Sequence, residues 1–217
     1  MISDNKQRFD YQHDHIRDFF FDEGETDISL RDRIRDILTD QKLLLGDEYI
    51  EDDEYIFASS CMEKRVTIEE RKSLLDSIAS LGHDFRLYTG SKLDDAPQLK
   101  QACKGYIDYM SVMPKVFKAS RINLNISLRS IKTGIPLRAL DIMGCGGFLL
   151  SNYQKELAEN FEDGKEMVVF YGLDDCIEKV EYYLEHEDER RAIAESGCRA
   201  VRERLGLKTQ LKKLLMM

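Results

Sequence analysis

The sequence contains no run of about eighteen apolar residues, the length that a membrane-crossing helix requires. The longest apolar patch near its start is the triplet at residues 19–21, which is far too short. The opening residues, MISDNKQRFD, also lack the basic and then apolar pattern of a secretory signal. We therefore expect a soluble, cytoplasmic protein without a membrane span.

Residues that bind structural metals are scarce and scattered. The five cysteines include no CxxC pair, and such an odd, dispersed set is typical of buried thiols in a reducing compartment. His13 and His15 flank Asp14, but a solvated helix face explains this polar segment better than a metal site does. We expect neither a metal nor a bound cofactor.

Two common phosphate-binding motifs are also absent, since neither GxxxxGK[ST] nor GxGxxG occurs. A broad basic surface for nucleic acid is missing as well, because the net charge is −9. The acidity belongs to one end: residues 1–54 carry 17 acids and 7 bases, whereas the remainder carries 24 acids and 25 bases. We therefore expect no nucleic-acid partner.

One stretch of the nearly neutral remainder is free of acids. Residues 109–140 contain no Asp or Glu but carry six bases: Lys115, Lys118, Arg121, Arg129, Lys132 and Arg138. Such a stretch indicates either a chance run on a solvated face or a site for an anion, because phosphates need local positive potential and donors. Both explanations remain open at this point.

The pattern divides the chain into a helical arm and a larger domain. Residues 1–50 are predicted to be helical, since ISLRDRIRDILTDQKLLL has apolar residues at nearly helical spacing. The acidic run at residues 48–54 is typical of a linker or an exposed turn. Residues 51–217 are predicted to form one Rossmann-like domain.

Strand-like and helix-like segments alternate in this domain. Six strands are predicted, near residues 54–61, 85–90, 105–109, 121–127, 148–153 and 167–172. Amphipathic segments lie between most of them, and two more follow from Asp174 onward. The alternation predicts an α/β fold in which a parallel sheet has right-handed crossovers and is followed by C-terminal helices.

In open parallel sheets, ligands bind beyond the carboxyl ends of the strands. After the fourth predicted strand, SLRSIKTG at residues 127–134 leads directly into a predicted helix. Free N–H groups at a helix start favour an anion, and Arg129 and Lys132 would add charge, although a plain polar loop explains the segment equally well. Asp141 lies within that helix and would either bond ribose hydroxyls or pair with Arg138.

These residues closely resemble a known family. The run MPKVFKASRINLNISLRSIKTGIPLRALDIMGCGGFLLSNYQKELAENFEDGKEMVVFY is similar to the C-terminal, donor-binding half of group 1 glycosyltransferases. Within that group it looks most like the spore-maturation, CgeB-type glycosyltransferases, and IPLRALDIMGCGGFLL is its most specific part. The resemblance extends from about Asp53 to near Leu215.

The resemblance implies the C-terminal half of a GT-B fold, which binds a nucleotide-diphosphate sugar and works without a catalytic metal. It places Asp141 where the family has a glutamate that bonds the donor ribose, and Thr133 where a glutamate contacts the sugar. It also implies that the diphosphate lies near Lys64, Arg65, Arg129, Lys132, Thr133 and Gly134, and the nucleoside near Tyr88, Tyr106 and Met113. Glu156 follows the fifth predicted strand, where related enzymes also carry an acid.

Two departures from the family pattern affect the expected function. Thr133 replaces the sugar-contacting glutamate, and residues 1–50 are too few and too helical to form an acceptor-binding domain. We therefore predict a glycosyltransferase donor domain whose acceptor half is a missing N-terminal half or a partner chain. The alternatives are a non-catalytic nucleotide-sugar-binding or scaffolding module, and a doubly wound interaction domain that binds no nucleotide.

Overall fold

The computed structural model describes residues 63–93, 96–127, 131 and 133–215, and the predicted helical arm at residues 1–50 lies outside this part. Its helices are α1 (Glu63–Ser80), α2 (Pro97–Ala102), α3 (Met113–Ala119), α4 (Leu137–Gly144), α5 (Lys155–Asn160), α6 (Leu173–Glu185), α7 (Glu187–Ala200) and α8 (Leu207–Leu215), with a π-helical turn at Val201–Leu205. Its strands are β1 (Asn123–Asn125), β2 (Leu149–Asn152) and β3 (Val168–Phe170).

The chain divides into two compact units. One comprises Met1–Glu70 and Leu128–Ser130, and the other comprises Arg71–Ser127 and Ile131–Met217. The sheet belongs to the second unit, and every contact described below lies within that unit. No helix in the described ranges is long and apolar enough to cross a membrane.

The sheet confirms the predicted parallel α/β fold. The described strands lie in the order β1, β2, β3, and both neighbouring pairs are parallel, with Leu124 opposite Leu150 and Ser151 opposite Val169. Parallel neighbouring strands need a crossover connection. The crossover from β1 to β2 contains α4, and the crossover from β2 to β3 contains α5. The fourth, fifth and sixth predicted strands are thus confirmed, as are the C-terminal helices.

The second and third predicted strands do not form as strands within the described residues. Their region contributes only an isolated parallel bridge between Leu87 and Cys103. Gly105 has a φ of +78° and turns the chain directly after this bridge, which prevents a longer ladder. The first predicted strand, near residues 54–61, lies outside the described residues.

Two apolar clusters cover the two faces of the sheet. Leu150 and Phe170 pack with buried side chains of α1 and α6. Leu149 and Val169 pack with buried side chains of α4 and α5. Successive residues of a strand point to opposite faces, which is why the neighbours Leu149 and Leu150 belong to different clusters. Because both faces are buried, the segments that contain β2 and β3 read largely as apolar runs, FLL at residues 148–150 and MVVF at residues 167–170.

An ion pair ties the π-helical turn to the residues that precede β3. Arg204 donates from Nη1 and Nη2 to the Glu166 carboxylate at 2.8 and 2.6 Å, and from Nη1 to the Asn160 carbonyl oxygen at 2.7 Å. Burial by itself would raise the pKa of Glu166, but the hydrogen bonds and charge of Arg204 hold that pKa below its ordinary value. The pair therefore stabilises the fold only while the carboxylate is ionised.

Replacing Glu166 with glutamine is expected to lower the free energy of unfolding by about 1 kcal/mol at neutral pH. Because the folded-state pKa is lowered, this contribution is present above the ordinary value of 4.5 and is lost as the pH falls through the folded-state pKa. Urea unfolding at neutral pH and at a pH well below that value measures the difference. The control Glu162→Gln removes an exposed pair with Lys165 and should change little. An equal loss at both pH values would contradict the ionic origin.

Candidate functional site

Four polar side chains join the carboxyl ends of β1 and β2. Asn125 Nδ2 donates to Ser151 Oγ at 2.9 Å and to Ser127 Oγ at 3.1 Å. Asn152 Oδ1 accepts from the Ser127 backbone N–H at 2.8 Å, and its Nδ2 donates to the Ser127 carbonyl oxygen at 3.3 Å. Buried polar groups require such partners. The network fixes the point at which the chain leaves β1 toward α4.

Arg71 reaches this point from α1. Its Nη2 donates to the backbone oxygen of Ile126, the residue directly after β1, at 2.6 Å. Burial lowers the pKa of Arg71, and the positive charge of Arg138 nearby lowers it further. The charge of Arg138 thus reaches Arg71, whose guanidinium lies beside the carboxyl end of β1, and guanidinium groups are well suited to bind phosphate oxygens.

Asp141 lies on α4 and is held by a tyrosine from the segment before α3. Tyr109 Oη donates to Asp141 Oδ2 at 2.6 Å, and the Tyr109 ring meets the Phe117 ring edge-on with centroids 6.4 Å apart. Burial raises the pKa of Tyr109, and the hydrogen bond to Asp141 and the charge of Asp141 raise it further, against the opposing effect of Arg138. The phenol therefore remains a donor and orients the carboxylate.

Arg138 connects the two parts of the site. It is the second residue of α4, its side chain is exposed, and its charge acts on both Arg71 and Tyr109. Among the described contacts, Asp141 is hydrogen-bonded to Tyr109 and not to Arg138. The described contacts thus contain no pairing of Asp141 with Arg138, and the ribose contact of Asp141 stays a prediction.

The site offers two kinds of recognition through four side chains, those of Arg71, Tyr109, Arg138 and Asp141. Guanidinium groups offer several donors to phosphate oxygens, while an oriented carboxylate accepts hydrogen bonds from hydroxyl groups. The start of α4, which no side chain caps, adds free N–H groups, and Gly134 lies just ahead of it with a φ of +91°. No group of three or more His, Cys, Asp or Glu is placed to hold a metal ion among the described residues. The arrangement suits a ligand with both phosphate and sugar hydroxyls.

The predicted diphosphate and ribose residues are only partly described by the structure. Asp141 lies at the centre of the site, and Thr133 and Gly134 are exposed in the segment that leads into α4. The other predicted residues in this group fall outside the described residues: Arg129, Lys132 and the side chains of Lys64 and Arg65. Their contact with a donor stays a prediction.

The residues predicted beside the nucleoside lie at three different places. Tyr88 is half-buried next to Leu87, Tyr106 is 78% exposed, and Met113 begins α3 and packs against the apolar cluster that contains α4. None of the contacts described for these three residues reaches the carboxylate of Asp141. Their role also stays a prediction.

Sequence reasoning missed Arg71 and Tyr109. Arg71 stands in an amphipathic helix beside Lys72, and nothing in the local pattern distinguishes it from a solvated base. Tyr109 is the first residue of the acid-free stretch, and the next acid after it along the chain is Asp141. That spacing is the one sequence signal that would have suggested a pairing of Tyr109 with Asp141.

Comparison with known proteins finds a matching family and similar solved structures. A family model described as glycosyl transferase-like matches residues 65–216. No curated protein matches the chain. The structure is similar to that of a glycosyltransferase from Rickettsia africae ESF-5, with 13% identity and a TM-score of 0.49. This similarity covers 66% of the present chain and 42% of the other, so the chain spans less than half of that protein's length.

The family match extends over well more than half of the chain. It includes the three described strands of the sheet and all four residues of the site, Arg71, Tyr109, Arg138 and Asp141. The chain therefore belongs to the glycosyl transferase-like family.

Proposed function

We propose that the domain binds the nucleotide-diphosphate sugar of a group 1, GT-B type glycosyltransferase, most similar to the CgeB type. The observation that carries the proposal is the Tyr109–Asp141 hydrogen bond at α4, the helix that also carries Arg138, whose charge acts on both Tyr109 and Arg71. In the family that the sequence resembles, an acid at the position of Asp141 bonds the donor ribose. Tyr109 would hold that acid in one orientation, and the two arginines would bind the adjoining diphosphate.

The proposed chemistry is stabilisation of the leaving group. When the bond between the sugar and the diphosphate breaks, its electron pair stays on the diphosphate, which gains negative charge. Arg71, Arg138 and the N–H groups at the start of α4 would neutralise that charge in a preorganised site. By the family resemblance, Lys64, Arg65, Arg129 and Lys132 would add to it, and no catalytic metal would be needed.

Acceptor binding belongs to another part of the enzyme in this proposal. In GT-B enzymes the sugar is transferred in a cleft between a donor-binding half and an acceptor-binding half. The acceptor-binding half usually supplies the catalytic base. The acceptor half would be a separate domain or a partner chain. The proposed compartment is the cytoplasm, in keeping with the free thiols of Cys103, Cys145, Cys176 and Cys198.

Thr133 favours a second candidate function, that of a non-catalytic nucleotide-sugar-binding or scaffolding module. A threonine hydroxyl at this position provides no carboxylate for the sugar hydroxyls, which the family glutamate would bond. Both functions predict donor binding. They differ in turnover, because only the enzyme would hydrolyse or transfer the sugar when candidate acceptor-domain chains are added.

Calorimetric titration of the 217-residue chain with UDP, GDP, ADP, dTDP and CDP tests the proposed function. We expect one diphosphate to bind selectively, and Arg71→Met to weaken that binding by about tenfold because a charged hydrogen bond is lost. The control Arg191→Met removes an exposed arginine that pairs with Glu187 on α7, and it should leave affinity unchanged.

Two outcomes would contradict the proposal. Absence of binding by any of the five diphosphates at millimolar concentration would exclude a preformed donor site. Equal weakening by Arg71→Met and Arg191→Met would show that general charge attraction, and not the site beside β1, binds the nucleotide. A variant Arg71→Lys retains the charge and should recover part of the affinity.

A further inference from the structure

Two tyrosines lie side by side at the carboxyl edge of the sheet. Tyr153 follows β2 and Tyr171 follows β3, and the register that sets Asn152 opposite Phe170 sets these next residues opposite each other. Their rings stack with centroids 5.6 Å apart and planes inclined by 22°. Both remain exposed, Tyr153 by 47% and Tyr171 by 72%. They form an exposed aromatic surface, here called the tyrosine platform.

The tyrosine platform is held by the elements beneath it. The backbone N–H of Tyr153 donates to the Phe170 carbonyl at 3.1 Å, and that of Tyr171 donates to Asp175 Oδ2 at 2.9 Å. Asp175 also pairs with Lys179 at 2.7 Å, and Lys179 Nζ lies 5.8 Å from the centre of the Tyr171 ring. A ligand would therefore meet an ordered surface flanked by a carboxylate and an ammonium group, at little entropic cost.

Another exposed tyrosine shows a different arrangement. Tyr182, on α6, stacks on His186 with centroids 3.8 Å apart, and its hydroxyl donates to Glu189 at 2.9 Å. The described contacts of Tyr153 and Tyr171 engage only their rings and backbones, so among the described residues both hydroxyls are available to a ligand. Tyr182 thus serves the packing of α6, whereas the tyrosine platform presents rings and hydroxyls at the edge where ligands bind.

We propose that Tyr153 and Tyr171 form a subsite for a pyranose ring. A pyranose presents a face of C–H groups, which packs on the electron-rich face of an aromatic ring, and a rim of hydroxyls, which suits Asp175 and Lys179. Neighbouring strands are about 4.8 Å apart, so the platform lies roughly 5 to 10 Å across the sheet from the end of β1. This inference rests on the proposed function, which places the donor diphosphate beside the end of β1. The donor sugar joined to that diphosphate, or the acceptor sugar that receives it, would then extend across the sheet toward the tyrosine platform.

The first experiment compares a nucleoside diphosphate with its nucleotide-sugars by calorimetry. UDP, UDP-glucose and UDP-N-acetylglucosamine are the initial probes, with the GDP, dTDP, ADP and CDP series as replacements if another base is selected. If the pyranose ring belongs to the donor, Tyr153→Leu should weaken nucleotide-sugar binding by about three- to tenfold and leave the affinity for the nucleoside diphosphate unchanged. Tyr153→Phe should retain most of the affinity, and Tyr182→Leu should have no effect.

The second experiment detects an acceptor ring by saturation-transfer NMR. Methyl glycosides of glucose, galactose, mannose and N-acetylglucosamine are mixed with the chain, with and without the nucleoside diphosphate. If the ring belongs to the acceptor, saturation should reach the C–H protons of one glycoside in the natural protein and in Tyr153→Phe, but not in Tyr153→Leu or Tyr171→Leu. Leucine keeps an apolar side chain at these positions, and thermal unfolding checks that the variants are folded.

The outcomes separate this inference from the proposed function. If the diphosphate binds but neither a nucleotide-sugar nor a glycoside responds to Tyr153→Leu, the subsite is excluded and the donor domain stands. If Tyr153→Leu weakens the diphosphate itself, the platform takes the base and the inference is overturned. If no nucleotide binds, the proposed function fails, while the glycoside experiment still tests the platform directly.

Discussion

Alanine in place of Asp141 is expected to weaken binding of the selected nucleoside diphosphate by about 10- to 100-fold. A hydrogen bond from a ribose hydroxyl to a carboxylate contributes roughly 1.5 to 3 kcal/mol. Alanine also leaves the Tyr109 hydroxyl without the acceptor that it has at 2.6 Å. Calorimetry measures the loss, and inorganic pyrophosphate, which has no ribose, should bind the variant almost as well as it binds the natural protein.

Tyr109→Phe tests whether the orientation of the carboxylate matters. Phenylalanine keeps the edge-on contact with Phe117 but removes the donor to Asp141, so we expect a smaller loss of about three- to tenfold. A 2′,3′-dideoxynucleoside diphosphate should bind the natural protein, Asp141→Ala and Tyr109→Phe with nearly the same affinity. If Asp141→Ala weakens this ligand as much as the ribose form, the effect is general damage to the fold and not a lost ribose contact.

Gly197→Ala is expected to lower the free energy of unfolding by about 3 kcal/mol or more, a large part of a typical total of about 5 to 15 kcal/mol. Gly197 lies inside α7, where it is buried against the residues before β3. A Cβ atom at this position would lie 2.1 Å from the Glu166 carbonyl oxygen and 3.1 Å from the Met143 side chain. The first neighbour is backbone and has no rotamer through which to move away, so α7 would have to shift from the sheet.

Gly144→Ala is the matched control for Gly197→Ala. It adds the same methyl group to a helix, but the nearest atom would be Val201 Cγ1 at 3.9 Å, an ordinary contact distance. Alanine favours a helix over glycine by about 0.5 to 1 kcal/mol, so this variant should be neutral or slightly stabilised. Urea unfolding compares the two variants. Similar stabilities for both would show that the close approach of α7 at Gly197 does not constrain the fold.

The central part of the fold could be predicted from the sequence because its strands are buried on both faces. Such strands appear as continuous apolar runs, and FLLSNY and MVVFYG each contain the strand found there, at Leu149–Asn152 and Val168–Phe170. The segment around Asn123–Asn125 alternates instead, because its asparagines are buried in hydrogen bonds at 2.9 and 3.1 Å. Helix positions followed from spacing and glycines, which are local properties.

Whether the segments near residues 85–90 and 105–109 form strands could not be determined from the sequence. Of the residues predicted to form them, only Leu87 pairs, in an isolated bridge with Cys103, which lies before the predicted third strand. A strand forms only where a partner pairs along its length, and the turn at Gly105, with a φ of +78°, ends that pairing. Propensity therefore indicated where extended backbone would occur but not how far a ladder would continue.

The sequence by itself determined the fold class, and its resemblance to a family pointed to Asp141, whose contact with a donor ribose stays a prediction. Only the tertiary structure decided which groups surround Asp141. Its hydrogen-bond partner is Tyr109, 32 residues away, and not its helix neighbour Arg138. Arg71 bonds the end of β1 across 55 residues of sequence. Local pattern determines helices because their contacts are between near neighbours, whereas these contacts arise only when packing brings distant segments together.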